Sequence, residues 1–270
     1  MATSVRTAAV AGQFYPHSAD TLLADIREYT APEGNRIRAV GCVVPHAGYI
    51  YSGHVAGAVY ARLELPTRFI ILCPNHTGLG TPLSIMSQGA WLTPLGEAPI
   101  DTDLASLLKE ECDLLIEDPL AHRNEHAIEV QVPFLQALVP SFTFVPVTVG
   151  TSRFDALEQL GRTIGVAIRH ESERILVIAS SDMNHYESDS VTRIKDRRAI
   201  DPILALDPRG LWEAVTRHNI TMCGFGPTVA MLTAASELGA TEATLIKYAT
   251  SGDVSGDRDM VVGYAGIAVS

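Results

Sequence analysis

VGCVVPHAGYIYSG (40–53) opens as an unbroken apolar run, stops at Pro45, and delivers His46 to a glycine-bearing turn ahead of a helical pattern. The ending recurs twice. FIILCPNHTG (69–78) ends on His76, and ILVIASSDMNHY (175–186) ends on Asp182 and His185. Runs rich in Val and Ile that barely alternate with polar residues read as strands covered on both faces, as in a parallel sheet. In such a sheet the strand C-termini open on one edge, and the crevice there binds ligands. Three distant segments thus carry imidazoles toward one mouth.

Working outward, strands are expected at 38–45, 68–74, 142–149, 174–180, 244–249 and 261–269, with shorter ones within 83–94. Helical periodicity falls between them, at 18–29, 53–63, 101–111, 154–169, 190–204, 208–218 and 227–238. Ser18 and Asp101 stand at capping positions, and Pro208 and Pro227 suit first helical turns. A further helix at 126–138 is expected to be kinked or to begin late, because Pro133 interrupts it. The alternation predicts an α/β fold, a single αβα sandwich with a mainly parallel central sheet, as one domain over 1–270.

The chain is 47% hydrophobic and 19% charged, which fits a filled core rather than disorder. Its net charge of −11, from 20 basic and 31 acidic residues, argues against nucleic acid and against an anionic membrane surface as partners. No apolar run approaches the roughly 18 residues that would span a bilayer. The opening MATSVRTAAVAGQF lacks the apolar stretch of a secretory leader. Four cysteines, none in a CxxC pair, form no disulfide framework, so a cytoplasmic protein with reduced thiols is expected.

His46 and His76, at two strand tips, suit a divalent metal because neutral imidazole binds iron, copper, zinc and nickel. The bland alternative is a pair of histidines that close hydrogen bonds in their own loops. In NEHAIEVQVPF (124–134), His126 and Glu129 are three apart and so expected on one helix face, with Asn124 as a cap. They are candidates for the substrate pocket, as is Tyr51. Asp182 and His185 both face the expected crevice. His185 is the candidate acid or base, its ordinary pKa lying near neutrality. Cys223 lies in the glycine-flanked turn of MCGFGPTVA (222–230) just before a helix, where a thiolate would be favoured. The stretch YATSGDVSGDRD (248–259) reads as a crevice wall or lid.

Taken in order, AGQFYP (11–16), PHAGYIYSG (45–53), CPNHTG (73–78), NEHAIEVQVPF (124–134), FVPVTVG (144–150), SSDMNHY (180–186), MCGFGP (222–227), KYATSGD (247–253) and GYAGIAV (263–269) resemble the Memo family across nearly the whole chain. The resemblance implies a fold similar to that of class III extradiol dioxygenases and a non-haem metal pocket. It implies His46, His76 and Cys223 as metal ligands, His185 at the position of a catalytic base, and Asp182 lining the same pocket. The implied ion is Fe(II), with copper or zinc as alternatives. Microbial members resemble one component of a three-part system that includes a radical S-adenosylmethionine protein, which implies a functional link to such a partner.

One departure from the dioxygenases stands out. Those enzymes hold iron with two histidines and a carboxylate, whereas a cysteine takes the third place here. Three functions follow. The first is an oxygenase-like oxidoreductase acting on a small molecule. The second is an iron- or copper-binding redox protein, or one that recognises a peptide, without turnover. The third is a zinc hydrolase built on His122 and His126 with Glu129 or Asp182.

Overall fold

The computed structural model describes residues 4–31 and 34–270; the first three residues of the stretch read for a leader lie outside it. The strands are β1 (Val5–Arg6), β2 (Gly41–Val44), β3 (Arg68–Pro74), β4 (Leu83–Ile85), β5 (Ala90–Thr93), β6 (Gly96–Pro99), β7 (Ile116–Glu117), β8 (Thr143–Val149), β9 (Ile175–Ser180), β10 (His185–Glu187), β11 (Ala243–Thr250) and β12 (Val261–Val269). The helices are α1 (Ala19–Tyr29), α2 (Tyr49–Arg62), α3 (Thr102–Glu111), α4 (Pro119–Arg123), α5 (Val132–Leu138), α6 (Phe154–His170), α7 (Asp189–Leu204), α8 (Pro208–Arg217), α9 (Phe225–Glu237) and α10 (Gly252–Ser255).

The main sheet runs β10-β12-β2-β9-β3-β8-β4-β7, with β11 paired to β12. Its centre, β2-β9-β3-β8, is parallel, as expected. Its flanks are not: β12 runs antiparallel to β2 and β11, and β4 antiparallel to β8. The short connection between β11 and β12 allows only a hairpin, because a parallel crossover needs a dozen or more residues. Of the shorter strands, β4 joins this sheet, while β5 pairs with β1 and β6 in a separate small one.

The apolar runs fail to alternate because both faces of the sheet are covered. Along β3, Ile70 and Leu72 pack into one core with Leu157, Leu160 and Ile164 of α6 and Val229 to Leu232 of α9. Phe69, Ile71 and Cys73 face the other way, into a core with Leu22 and Ile26 of α1, Val59 and Tyr60 of α2, and Phe134 and Leu135 of α5. This is the αβα sandwich. No helix of the described residues is long and apolar enough to cross a membrane.

Two departures bear on the site. First, α2 starts at Tyr49 rather than Gly53. Gly53 and Gly57 lie inside it, where a Cβ would strike Tyr29, so they are contact points for α1 and not the helix start. Second, α5 starts only at Val132, and 127–131 form turns. Pro133 has no N–H and clashes with the carbonyl four residues back, which bars helix through Glu129. His126 and Glu129 therefore do not share a helix face.

Candidate metal centre

The strand tips open on a cavity of about 630 Å³. Its lining includes His46, His76, His126, Asp182, His185 and Cys223. Ligand atoms of His46, His76 and Cys223 all lie within 4.8 Å of one another. The cysteine arrives because the N-terminus of α9 abuts the tip of β9. Gly224 makes that approach feasible, since a Cβ there would meet the Ser180 carbonyl and the Ser181 side chain.

The protons on the imidazoles follow from their partners. Ser180 Oγ donates to the Ala127 carbonyl at 2.6 Å and accepts from Gln131 Nε2 at 2.9 Å. Its single hydrogen is used, so the 3.0 Å contact with His46 Nδ1 must be donated by the ring. Nε2 of His46 is left with a free lone pair, 3.2 Å from Cys223 Sγ. His76 Nδ1 lies 2.9 Å from Glu125 Oε1, and its backbone N–H donates to Oε2 at 2.7 Å. An ionised carboxylate only accepts, so His76 also carries its proton on Nδ1 and offers Nε2. His185 repeats the arrangement through the Thr221 carbonyl, 2.8 Å from its Nδ1.

Electrostatics follow from burial. His46 is driven well below its ordinary pKa by desolvation, aided by His126, His76 and His185, so it is neutral. Burial likewise lowers His126 to about 4. Burial acts against a charged His76 too, but the Glu125 hydrogen bond and charge prevail and raise it. Glu125 itself is held below the usual carboxylate range, because His76 and the Ala127 N–H outweigh its burial. Burial, with the Asp182 carboxyl nearby, pushes the Cys223 thiol well up. This corrects the expectation of a thiolate from the helix N-terminus: without a cation, desolvation outweighs the dipole. Asp182, itself raised by burial, uses Oδ1 to accept the backbone N–H of His46 at 2.8 Å.

Three expected site residues lie elsewhere. Glu129 turns away from the cavity and accepts hydrogen bonds from Arg6 Nη1, Tyr15 OH and the backbone N–H groups of Ala9 and Val10. Tyr51, itself 40% exposed, sits in the first turn of α2, outside the cavity lining. His122 is fully buried and pairs Nδ1 with Thr148 Oγ1 at 3.1 Å. It joins no metal-competent group among the described residues, so the His122–His126 zinc pair does not form. The loop 248–259 is pinned: Arg193 and Arg258 each bind both Asp189 and Asp253. It contributes no side chain to the cavity lining.

Glu125, Ser180 and Gln131 were not expected in the site. Glu125 sits in the NEHAIEVQVPF stretch directly before His126, and no pattern in sequence announces a serine that fixes a tautomer. Phe14, tilted at 44° against His126 with 4.5 Å between ring centroids, and Tyr186 also line the cavity.

Behind His185 lies a buried carboxyl. Asp196 accepts the Asn184 backbone N–H at 2.8 Å and the Tyr248 hydroxyl at 2.7 Å. Burial pushes it up to about 7. The folded state therefore keeps this proton over a pH range where the unfolded chain has released it. Stability due to this group falls as pH rises from about 4 to 7 and then levels off. Asp196→Asn is expected to be relieved of up to about 4 kcal/mol of that loss. The check is urea unfolding of both proteins across pH. The difference between them should grow between about pH 4 and 7, whereas the buried histidines affect both alike.

The architecture and the cavity together define an αβα protein in which two imidazoles, a thiol and two further histidines gather at the tips of the parallel strands. A model of the Memo family, described as Memo-like protein, matches residues 6–268, and the chain belongs to that family. It is 43% identical over 273 residues to a MEMO1 family protein of Methanothermobacter thermautotrophicus, covering 97% of this chain and 99% of that one. It is 45% identical over 277 residues to a MEMO1 family protein of Methanopyrus kandleri, covering 97% and 98%. The crystal structure of an uncharacterized protein from Escherichia coli K12 is similar in fold alone, with a TM-score of 0.52 at 13% identity over 86% of this chain and 100% of that one.

Proposed function

We propose that His46, His76 and Cys223 hold one metal ion, Fe(II) in the first place and copper or zinc as alternatives, beside a cavity that binds a small molecule. The observation that carries this reading is the convergence of three donor atoms within 4.8 Å. The donor set fits such an ion. Metal bonds of about 2.1 Å to nitrogen and 2.3 Å to sulfur place neighbouring donors roughly 3.5 Å apart. The Cys223–His46 separation of 3.2 Å is close to that. His46 is neutral and offers Nε2, whereas His76 and Cys223, both raised, would give up a proton on ligation.

Bound there, the ion would supply Lewis-acid and one-electron chemistry. The protein's own contribution is positional. Glu125 and Ser180 orient the ligand rings, Asp182 ties the His46 backbone to the β9 tip, and His185, its Nδ1 held on the Thr221 carbonyl, lines the cavity as the candidate base. That assembly supports an oxygenase-like oxidoreductase. Oxygen uptake by the Fe(II)-loaded protein with a panel of aromatic diols and aminophenols tests it. No uptake, with metal bound, would leave the second reading: a metal-binding redox or peptide-recognising protein without turnover. The thiol standing in place of a carboxylate favours that second reading. A functional link to a radical S-adenosylmethionine protein belongs to either and is open to co-purification.

The outer hydrogen bonds carry their own expectation. Glu125→Ala leaves the His76 Nδ1 proton without its acceptor. Fe(II) affinity should fall by about 10–100-fold, measured by competition with a chelator of known affinity.

A further inference from the structure

Tyr186 lines the cavity, yet its side chain is 71% exposed and its backbone is left-handed, with φ 59°. It is also the extra residue of a β-bulge. His185 pairs with Val262 and Glu187 with Val261, so two consecutive residues of β12 face three of β10, and Tyr186 has no partner. A left-handed bulge position is ordinarily glycine, because a Cβ is strained there. A bulky aromatic at such a place is a backbone outlier, and outliers of this kind persist where function requires them. The protein also gains little by burying this ring, since most of it faces solvent. What the bulge achieves is aim: it re-directs one side chain at the rim, beside the His185 ring at 5.6 Å between centroids.

The rest of the rim says what the ring would meet. Phe14 and Val262 also line the cavity, and no lysine or arginine does among the described residues. A phosphate or carboxylate would find no permanently cationic lysine or arginine side chain there. We propose that Tyr186 is a ligand-contacting, specificity-determining residue. It is held in an unfavourable backbone state so that its ring packs on an uncharged planar group at the cavity mouth. This deepens the reading of the same cavity and relies on it for where the ligand sits, not for the identity of the ion.

The test uses metal-free protein, so that it stands apart from the metal assignment. The probes are 2-naphthol, its saturated counterpart decahydro-2-naphthol, and 2-naphthyl phosphate, titrated by calorimetry. Wild type is expected to bind 2-naphthol about tenfold more tightly than either other probe. Tyr186→Gly and Tyr186→Leu should each lose about that factor, and Tyr186→Phe should keep it. Tyr186→Gly should also raise the thermal midpoint by about 2–4 °C by releasing the strain, while Tyr186→Leu, which keeps its Cβ, should not. Metal content measured separately should be the same in all four proteins. Equal binding of the three probes by wild type, unchanged affinity in Tyr186→Gly, or no rise in its midpoint would overturn the proposal. Loss of metal from wild type with probe selectivity intact would overturn the metal reading instead.

Discussion

His46→Ala, His76→Ala and Cys223→Ala are each expected to lower Fe(II) affinity by more than about 100-fold, beyond the loss that an outer partner such as Glu125 would cause. Each removes one of three donors rather than tilting it. The fold should survive. His46 gives up two side-chain bonds, to Ser180 and to Cys223, together worth about 1–2 kcal/mol net. For a chain of this size that corresponds to a drop of about 2–8 °C in thermal midpoint. Elemental analysis of anaerobically purified protein, alongside thermal unfolding, checks both halves. Wild-type metal content in all three variants would dismiss the proposed centre. Retention in Cys223→Ala alone would leave a two-histidine site and remove the sulfur from it.

Glu129→Ala is expected to do the reverse: a large loss of stability with the metal ligands untouched. The Glu129 side chain is 1% exposed, and its 2.7 Å ion pair is with Arg6, 5% exposed. Removing the carboxylate strands a buried guanidinium, the Tyr15 hydroxyl and two backbone N–H groups together. Breaking a buried pair in this way costs about 3–5 kcal/mol, much of it the penalty of the uncompensated charge. The same guanidinium lies 4.0 Å from the Trp91 ring and donates to the backbone carbonyls of His122 and Glu125, contacts that Glu129→Ala leaves in place and that do not involve the Glu125 carboxylate. Urea unfolding should show the midpoint fall. Metal bound per folded molecule, measured below the transition, should stay near the wild-type value. Lost metal affinity at unchanged stability would return Glu129 to the site.

The two outcomes separate roles that the NEHAIEVQVPF stretch presents side by side. Within it, Glu125 contacts a candidate ligand, His126 lines the cavity, and Glu129 anchors the N-terminal segment. A three-residue spacing suggested a shared helix face for His126 and Glu129, and Pro133 defeats it. The turn then points the two side chains in different directions. Glu125, which fits no helical metal motif, gains its place because the turn lets its carboxylate reach both the backbone and the ring of His76.

Local sequence was sufficient for the central strands, the helices between them and the histidines at the strand tips. Unalternated Val and Ile require cover on both faces of a sheet, and a polar histidine that ends such a run has to emerge at its edge. The ordered stretches from AGQFYP to GYAGIAV likewise carried the family, because their residue types follow one another over nearly the whole chain. What needed the folded chain was the detail of contacts between distant segments: the antiparallel hairpin of β11 and β12, the 3.2 Å separation of Cys223 Sγ and His46 Nε2 across 177 positions, and the serine that sets the His46 tautomer. Such relations depend on packing distance and on who holds each proton. Periodicity and propensity describe a residue and its near neighbours along the chain, and they contain no term for either.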